Sequence, residues 1–470
     1  MRIALVHYHL RPGGVTSVLY HQARSLTEAG DEVLIIAGEG TAEGLPVKTV
    51  EALGYDRFRG ARPGEADQEA ARKLADALIK AMEDHWGTAA DVFHVHNPLI
   101  QKNAALIPAL NILNQRGIRL LLQIHDLAED FRPDVYAAAD YPENCHYGVI
   151  NNRDFSFLHR AGLRPDGLHL IPNEVFPPQA VPGLPRTRYL YPVRAIRRKN
   201  IGEALLLSLF IPRGKTVTVT LPPTTERDQW IYRRWVRTAG ELKLPVEFEA
   251  GLTHTLGELM GGARCVITTS VKEGFGFSFL EPWTADRAVI GRRIDYVCRD
   301  FEAAGVRFDS LYSSLNIPMV YISPGTLKNK MEHTMTAVYR SFGMDPPDYM
   351  LAMMGGEILS RDMADFGCLD EELQESIIRI MASNEAIFRE IRDANPFLAG
   401  LADWRGGEDL IAANGREIRV HYGTERICSI LKDIYSSVVN NPVRHKLSKS
   451  MLLDLYLDPL KFSLIGVAHA

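Results

Sequence analysis

The sequence is poor in cysteine and lacks the spacings on which metal clusters and disulfide frameworks depend. Its 470 residues include five cysteines, and no two of them form a CxxC pair. They are Cys145, Cys265, Cys298, Cys368 and Cys428. This scatter implies neither a zinc cluster nor a disulfide framework, and the odd number favours a reducing compartment. We therefore predict a cytoplasmic protein.

Long apolar runs and a secretion signal are also missing. No run of 18 apolar residues occurs, so no segment is predicted to span a membrane. The first residues, Met1 to Val6, have the pattern of a strand rather than of a signal peptide. Hydrophobic residues make up 46% of the chain and charged residues 24%, which is typical of a globular protein of two or three domains.

Charge of one sign is not in excess. Lysine and arginine number 53 against 58 aspartates and glutamates, and the net charge of −5 predicts no nucleic-acid partner. Basic residues cluster locally at Arg194–Lys199 and at Arg233–Arg237. Such runs usually form a solvated helix face.

Short apolar runs alternate with helical stretches, which predicts parallel sheets covered by helices on both faces. The predicted strands of the first half are Ile3–His7, Val33–Ala37, Val92–His96, Leu120–Ile124, Tyr147–Ile150 and Leu168–Ile171. Those of the second half are Tyr189–Val193, Thr216–Leu221, Val246–Phe248, Cys265–Thr269, Ala288–Gly291 and Met319–Ile322. The proline-rich stretch Pro172–Pro185 predicts an interdomain linker between the two halves. The sequence therefore predicts an α/β fold of two doubly wound, Rossmann-like domains that face each other across a cleft.

The predicted domains are residues 1–180, residues 181–425 and a helical C-terminal extension of residues 426–470. Apolar residues at helical spacing, from Ile427 to Val438, predict a helix in the extension. The last apolar stretch, Met451–Leu457, is predicted to pack back on the first domain. A dimer contact and a membrane-surface helix are the alternatives.

The stretch from Glu273 to Glu281 carries the most specific chemical signal. Its two glutamates are separated by seven residues, of which Gly274, Phe275, Gly276 and Phe277 form the glycine loop. Glycines let backbone N–H groups approach a ligand, and the helix predicted to open at Phe279 favours an anion such as a diphosphate at its N-terminus. The two carboxylates are suited to hold sugar and ribose hydroxyls. A strand–turn–helix corner with two surface glutamates is the alternative.

Six motifs in one order resemble the retaining GT-B fold glycosyltransferases of family four. They are Pro12-Gly13-Gly14-Val15, Asp91 to His96, Ile124-His125-Asp126, Ile171-Pro172-Asn173, Arg194 to Asn200, and Glu273 to Glu281. The resemblance covers Met1 to Trp283, and more loosely the final helices. After Glu281 the chain departs from the family pattern, which leaves donor identity and the acceptor contacts near Arg292 and Arg293 open.

The resemblance implies roles for residues of the first domain. Gly13 and Gly14 would lie near the reacting phosphate and the acceptor, with a simple tight turn as the alternative. His125 would contact the transferred sugar close to the reaction centre. His94 and His96 share one face of a strand, and we predict that they pack in the core without a metal.

The resemblance also implies roles for residues of the second domain. Arg194 and Lys199 would clamp the donor diphosphate, whereas Arg197 and Arg198 have no counterpart in the family and are predicted to be solvated. Glu273 would contact hydroxyls of the donor sugar and Glu281 those of the ribose. Backbone N–H groups of the glycine loop, from Gly274 to Phe277, would contact the phosphates and the sugar.

The reaction that the resemblance implies is transfer of a hexose, glucose or mannose, from a UDP- or GDP-linked donor to a hydroxyl of a small soluble or glycan acceptor. The transfer would retain the anomeric configuration, because the departing phosphate helps to deprotonate the acceptor on the same face. We expect neither a metal nor a cofactor, since no Asp-x-Asp motif occurs. A nucleotide-sugar epimerase or phosphorylase, a non-catalytic nucleotide-sugar-binding protein, and a homodimeric state stay open. No Gly-x-Gly-x-x-Gly follows the first strand, which disfavours a dehydrogenase.

Overall fold

The computed structural model describes residues 1–56, 68–136, 139–401 and 407–467. The chain divides into two compact units. The first unit comprises Met1–Glu174 and His421–Leu457, and the second comprises Val175–Val420 and Asp458–Ala470. The final helices of the chain therefore belong to the same unit as its first strand.

The strands are short and mostly buried. In chain order they are β1 (Arg2–His7), β2 (Glu32–Ala37), β3 (Val47–Thr49), β4 (Val92–His96), β5 (Leu120–Ile124), β6 (His146–Val149), β7 (Leu168–Leu170), β8 (Arg188–Arg194), β9 (Thr216–Leu221), β10 (Val246–Glu247), β11 (Ala263–Thr268), β12 (Val289–Arg292), β13 (Leu311–Tyr312), β14 (Asn316–Pro318) and β15 (Met363–Asp365).

Helices follow most of the strands. They are α1 (Gly14–Glu28), α2 (Gln68–Trp86), α3 (Leu106–Gln115), α4 (Asn152–Arg160), α5 (Ile201–Ser208), α6 (Glu226–Glu241), α7 (Leu256–Gly261), α8 (Glu281–Thr284), α9 (Asp295–Ala303), α10 (Pro324–Ser341), α11 (Asp348–Ser360), α12 (Glu371–Ser383), α13 (Glu385–Asp393), α14 (Phe397–Gly400), α15 (Glu408–Tyr422), α16 (Thr424–Asn440) and α17 (Lys449–Tyr456). Within the described ranges, no helix is long and apolar enough to cross a lipid bilayer.

The first unit is built on a parallel sheet of seven strands in the order β3-β2-β1-β4-β5-β6-β7. Strand order reverses between β1 and β4, so the carboxyl ends of these two neighbours mark the place where such sheets bind ligands. One face of the sheet packs against residues of α2, α3 and α17, including Leu78, Leu110 and Leu452. The opposite face packs against α1 and against the apolar stripe of α16.

The second unit has a six-stranded parallel sheet in the order β10-β9-β8-β11-β12-β13. Here the order reverses between β8 and β11. A separate antiparallel pair, β14 with β15, stands at the base of a hairpin formed by α10 and α11. The prediction of an α/β fold with two doubly wound sheets is confirmed, and a helical C-terminal region is present.

One predicted strand is wrong. Residues Met319–Ile322 were predicted to form a strand, but Met319–Tyr321 form a 3₁₀ turn in which the side chain of Val320 is 78% exposed. Pro318 and Pro324 flank this run, and proline cannot donate to a strand ladder. The strands that the sequence did not predict, β3, β13, β14 and β15, have only two or three residues, too few to show a periodic pattern.

Candidate active site

In the second unit, the basic motif Arg194–Asn200 and the loop that begins at Glu273 lie together at the switch point of the sheet, which is the place between β8 and β11 where the strand order reverses. Arg194 is the last residue of β8, and Lys199 ends the 3₁₀ turn Arg197–Lys199 that follows it. Glu273 lies in the loop after β11, the strand next to β8. Because neighbouring parallel strands end at the same edge, residues far apart in sequence meet here.

Two cations hold the carboxylate of Glu273. The ammonium of Lys199 pairs with Oε1, and Nη1 of Arg198 donates to Oε2 at 3.2 Å. The same Arg198 nitrogen donates to the carbonyl of Lys272 at 2.9 Å. The hydroxyl of Tyr296 contacts the backbone of Glu273, accepting from its N–H at 3.1 Å and donating to its carbonyl at 2.5 Å. Both the carboxylate and the backbone of Glu273 are therefore held in place.

The charges of this cluster are set by burial and by pairing. Burial by itself raises the pKa of Glu273, but the positive charges of Lys199 and Arg198 outweigh it and lower that pKa below its ordinary value. Burial also lowers the pKa of Lys199, and the charge of Glu273 opposes this effect. Glu273 is thus ionised at neutral pH and pairs with both cations in the free protein.

The remaining basic residues of the motif differ in their surroundings. Arg194 is exposed, and its guanidinium donates to the carbonyl of Pro222 at 3.0 Å. The prediction that Arg197 and Arg198 are solvated is wrong. Arg197 makes a two-bond pair with Glu371 at 2.7 and 3.1 Å and donates to the carbonyl of Val467, while Arg198 contacts Glu273. Their partners lie up to 270 residues away, so a local charge pattern could not reveal them.

The glycine loop is anchored by its aromatic residues. The ring of Phe275 is buried and contacts the rings of Phe277 and Phe301 at centroid distances of 5.1 and 5.4 Å. Gly276 has a φ of +94°, and a Cβ atom there would lie 2.8 Å from Val297 Cγ1. The left-handed backbone and the close neighbour both require glycine at this position. Gly274, directly before Phe275, is partly buried.

The helix predicted after the loop is much shorter than expected. A 3₁₀ turn, Phe277–Phe279, is followed by the four-residue helix α8, which ends at Thr284. The chain reverses soon afterwards at Asp286, whose φ is +56°. The expected attraction of a diphosphate to a helix N-terminus therefore has no basis here, since a four-residue helix has little dipole.

Glu281 begins α8 and stands apart from the other charges. Its side chain is partly buried, and within the described residues no hydrogen bond or ion pair involves its carboxylate. Burial raises the pKa of this carboxyl to about 7, and no neighbouring charge contributes to the shift. A desolvated carboxylate without a partner is costly, which is typical of a group whose partner is a ligand.

Arg292 is not available to an acceptor. Its guanidinium makes three hydrogen bonds to Glu203, between 2.7 and 3.1 Å, and two to Asp365, both at 2.7 Å. Tyr312 donates to the same Glu203 carboxylate at 2.6 Å. Arg293 pairs with Asp295 and Glu302 at the surface. This buried network connects β12 to β15 and so fixes the base of the α10–α11 hairpin.

In the first unit, Gly13 and Gly14 stand at the start of α1, after β1. Both are exposed, and a Cβ atom added to Gly14 would meet nothing within 4 Å. The backbone of Gly13 is extended, with φ of 178°, which any residue can adopt. Neither glycine is therefore required by the packing of the unit itself.

His125 follows β5 at the same sheet edge and is buried. Its Nε2 lies 3.2 Å from Nδ1 of His96, the last residue of β4, so one ring donates a hydrogen bond to the other. Burial lowers the pKa of His125 to about 4 and that of His94 to about 3, so both rings are neutral at pH 7. His94 contacts the hydroxyl of Tyr435 on α16 at 2.9 Å.

Asn97 supports His125 and was not predicted from the sequence. Its Oδ1 accepts the backbone N–H groups of His125 and Asp126 at 3.2 and 3.0 Å. Asn97 has a φ of +56°, a conformation that asparagine tolerates better than most residues. An asparagine directly after a buried strand is the one local signal that could have suggested this role.

The described residues contain no group of three or more histidine, cysteine, aspartate or glutamate side chains placed to hold a metal ion. The second unit contains the carboxylate of Glu273, which two cations hold, and the carboxyl of Glu281, which has no partner among the described residues. The first unit contains the neutral His125 at the carboxyl edge of its sheet.

Residues 12–175 match the family described as Glycosyltransferase Family 4. This stretch of the chain is therefore similar to a family 4 glycosyltransferase domain. The resemblance drawn from the sequence is thereby confirmed, and the chain has the GT-B fold of its structural neighbours. Sucrose-phosphate synthase from Thermosynechococcus elongatus is similar with a TM-score of 0.54 and 15% identity, over 93% of this chain and 98% of the other. Anabaena HepE in complex with UDP and glucose is similar with a TM-score of 0.53 and 13% identity, over 93% of this chain and 100% of the other.

A curated relative is similar over most of its length. Mannosylglucosyl-3-phosphoglycerate synthase from Petrotoga mobilis is 22% identical to this chain over 429 residues. The match covers 83% of each chain. The similarity thus extends beyond residues 12–175 into the unit that contains Lys199, Glu273 and Glu281.

Proposed function

We propose that the protein transfers a hexosyl unit, glucose or mannose, from a UDP- or GDP-linked donor to an acceptor hydroxyl with retention of configuration. The observation that carries the proposal is the partnerless carboxyl of Glu281, 8 residues after a carboxylate that two cations hold. The carboxylate of Glu273 is already oriented by its ion pairs, and the carboxyl of Glu281 has no hydrogen-bond partner in the free protein. Both follow β11 at the switch point, the kind of place where doubly wound sheets bind nucleotides.

Each group of the second unit has a chemical task in this proposal. Lys199 and the exposed guanidinium of Arg194 compensate the charge that develops on the leaving nucleoside diphosphate, an effect that is largest in the transition state. Glu273 accepts hydrogen bonds from hydroxyls of the donor sugar. Glu281 accepts those of the ribose, which would supply the partners that it lacks in the free protein.

The first unit would supply the groups around the transferred sugar. His125 is neutral, so its imidazole can hydrogen-bond to a sugar hydroxyl without placing a charge next to the reacting carbon. Gly13 and Gly14 leave room for a phosphate and an acceptor near the backbone of α1. Retention would follow if the departing phosphate oxygen takes the proton of the acceptor hydroxyl on the face from which it leaves. No protein nucleophile is then required.

The acceptor is proposed to be small and soluble, and to carry acidic groups. The product named in the Petrotoga mobilis relative contains a phosphoglycerate, which bears both a phosphate and a carboxylate. We propose an acceptor of the same chemical class for this chain. Its hydroxyl would attack the anomeric carbon, while its acidic groups would give the affinity.

We further propose that transfer proceeds in the cytoplasm without a resident metal ion or cofactor, because Lys199 and Arg194 can supply the positive charge. All five cysteines are unpaired, which suits a reducing compartment. Full activity in the presence of EDTA is the expected result. Loss of activity with EDTA and its recovery with a divalent cation would contradict the proposal.

A thermal-shift panel of nucleoside diphosphates and their hexose conjugates tests the donor. A tight binder should raise the unfolding temperature by mass action. NMR of the reaction with the best donor then tests the chemistry, since the one-bond C–H coupling at the anomeric carbon of the product reports its configuration for glucose and mannose alike. Inverted product would refute retention. Turnover of the donor to a new nucleotide-sugar without an acceptor would identify an epimerase instead.

A further inference from the structure

A second cluster of cations lies in the first unit and takes no part in the machinery described above. Arg11 follows β1, Lys102 follows β4 and Arg132 follows β5. These three strands are neighbours in the parallel sheet, so their loops meet at one edge. The ring of Tyr55 lies near Lys102, and the charges of Arg132 and Arg11 act on its hydroxyl.

We infer that Lys102 and Arg132, with Arg11 beside them, form a binding site for the phosphate or carboxylate group of an anionic acceptor. The inference deepens the proposed function and rests on it, because it assigns the acceptor's acidic group to named residues of the first unit.

Lys102 is the member of the cluster with the least compensated charge. Its side chain is partly buried, and its ammonium lies 5.9 Å from the ring centroid of Tyr55. Within the part of the chain that the structure describes, no hydrogen bond or ion pair joins this ammonium to a carboxylate. Burial lowers the pKa of Lys102, and the positive charge of Arg132 lowers it further against the opposing effect of Asp134 and Asp126. A half-buried ammonium beside a second cation is stabilised by an incoming anion.

Arg132 is held only loosely. Its Nη1 lies 3.5 Å from Oδ2 of Asp126, longer than the 2.7–2.9 Å of a charged hydrogen bond, and the Asp126 side chain is 40% exposed. The residue before it, Phe131, has a φ of +58°, a strained conformation for a bulky side chain. This backbone turn sets the direction in which Arg132 leaves the loop.

Arg11 completes the cluster at its solvent side. Its Nη2 pairs with Oε1 of Glu39 at 2.5 Å, but both side chains are about half exposed, and such pairs contribute little to stability. His9 contacts Tyr55 at a centroid distance of 4.9 Å and accepts the backbone N–H of Arg11 at 3.3 Å. Tyr55 and His9 thus form an aromatic wall beside the cations, a surface on which the carbon skeleton of a small acid can pack.

The carboxylates that face the cluster are Glu39, Asp126 and Asp134. None of them satisfies Lys102, and the pairs that they form with the arginines are exposed or long. A phosphate or carboxylate that binds two of these cations at once would therefore displace weak contacts and replace them with stronger charged hydrogen bonds.

Titration calorimetry on the full chain tests the inference. The probes are 3-phosphoglycerate and inorganic phosphate as anions, glucose as a neutral molecule, and UDP and GDP as donor fragments. In Lys102→Gln and Arg132→Gln, we expect the affinity for 3-phosphoglycerate to fall about tenfold or more, because each variant removes charged hydrogen bonds. The affinity for UDP or GDP should be unchanged, which also shows that the variants are folded.

Two controls separate this site from other sources of anion binding. Lys80→Gln removes a surface cation of α2, paired with Asp84, and should leave all affinities unchanged. Lys199→Ala should weaken UDP or GDP binding and spare 3-phosphoglycerate. If 3-phosphoglycerate binding instead follows Lys199, the anion occupies the donor clamp and the inference is overturned.

The inference is also overturned if the wild-type protein shows no saturable binding of 3-phosphoglycerate, or if the Lys102 and Arg132 variants bind it normally. Failure of UDP and GDP alike to bind would count against the proposed function instead. The anion titrations would then still decide whether Lys102 and Arg132 form an anion site.

Discussion

Replacement of Glu281 by glutamine should stabilise the free protein at alkaline pH while weakening donor binding. The carboxyl has a pKa of about 7 in the folded chain against 4.5 as its ordinary value, and burial is the cause. Below pH 4.5 the carboxyl is protonated in both the folded and the unfolded chain, so its burial does not lower the free energy of unfolding. As the pH rises from 4.5 to 7, the unfolded chain gains the ionised form that burial disfavours, and the free energy of unfolding falls. The full shift corresponds to about 3 kcal/mol, and the partial exposure of the side chain reduces this to roughly 1–2 kcal/mol.

Urea unfolding of wild type and Glu281→Gln at pH 5 and pH 8 measures this difference. We expect nearly equal free energies of unfolding at pH 5 and a gain of about 1–2 kcal/mol for the variant at pH 8. Glu83→Gln, at an exposed position of α2, is the matched control and should show no such dependence on pH. Calorimetry with UDP and GDP should show weaker binding by about 1–3 kcal/mol in Glu281→Gln. A variant that is equally stable at both pH values, with unchanged nucleotide affinity, would refute the assignment of Glu281 as a ligand-binding carboxylate.

Three further substitutions test other parts of the structure. Lys199→Ala should lower kcat about a hundredfold or more if Lys199 stabilises the leaving diphosphate, and near-normal turnover in a steady-state assay would remove it from the mechanism. Gly276→Ala should lower the free energy of unfolding by about 1–3 kcal/mol in urea titrations, because φ is +94° and the new Cβ meets Val297; Gly356→Ala, with open space around it, should not, and equal effects would contradict the argument. Arg292→Ala should cost about 3–5 kcal/mol by leaving Glu203 and Asp365 buried without their cation, whereas Arg293→Ala should cost less than about 1 kcal/mol; a small loss for Arg292 would show that the network is not stabilising.

The sheets could be predicted from the sequence because their long strands are buried on both faces. The parallel strand β2 has a continuous apolar run at Val33–Ala37, and runs of this kind can be recognised without knowledge of the partner strand. The two-residue strand β13 has no such signature and exists through its pairing with β12. The run Met319–Ile322 is also apolar, but it lies between Pro318 and Pro324, and Met319–Tyr321 form a 3₁₀ turn instead of a strand.

The chemistry of the candidate site was partly predictable, since residue types and order indicated which loops matter. The pairing of Arg198 with Glu273, 75 residues away, and that of Arg197 with Glu371, 174 residues away, depends on tertiary structure. For the same reason the sequence did not indicate that Asn97 positions the turn at His125. The isolation of Glu281 is likewise a property of its surroundings, because an identical glutamate at the surface would have an ordinary pKa.

The antiparallel pairing of β14 with β15 places the two ends of the α10–α11 excursion side by side. Pro318 pairs with Met363, and the N–H of Met319 donates to the carbonyl of Asp362 at 2.9 Å. The chain therefore leaves β14 and returns to β15 at adjacent positions within the second unit. A tight turn joining Pro318 to Met363 would delete residues 319–362 without altering the register of either strand, so the strand pairing of the parallel sheet beside Lys199 does not depend on this excursion.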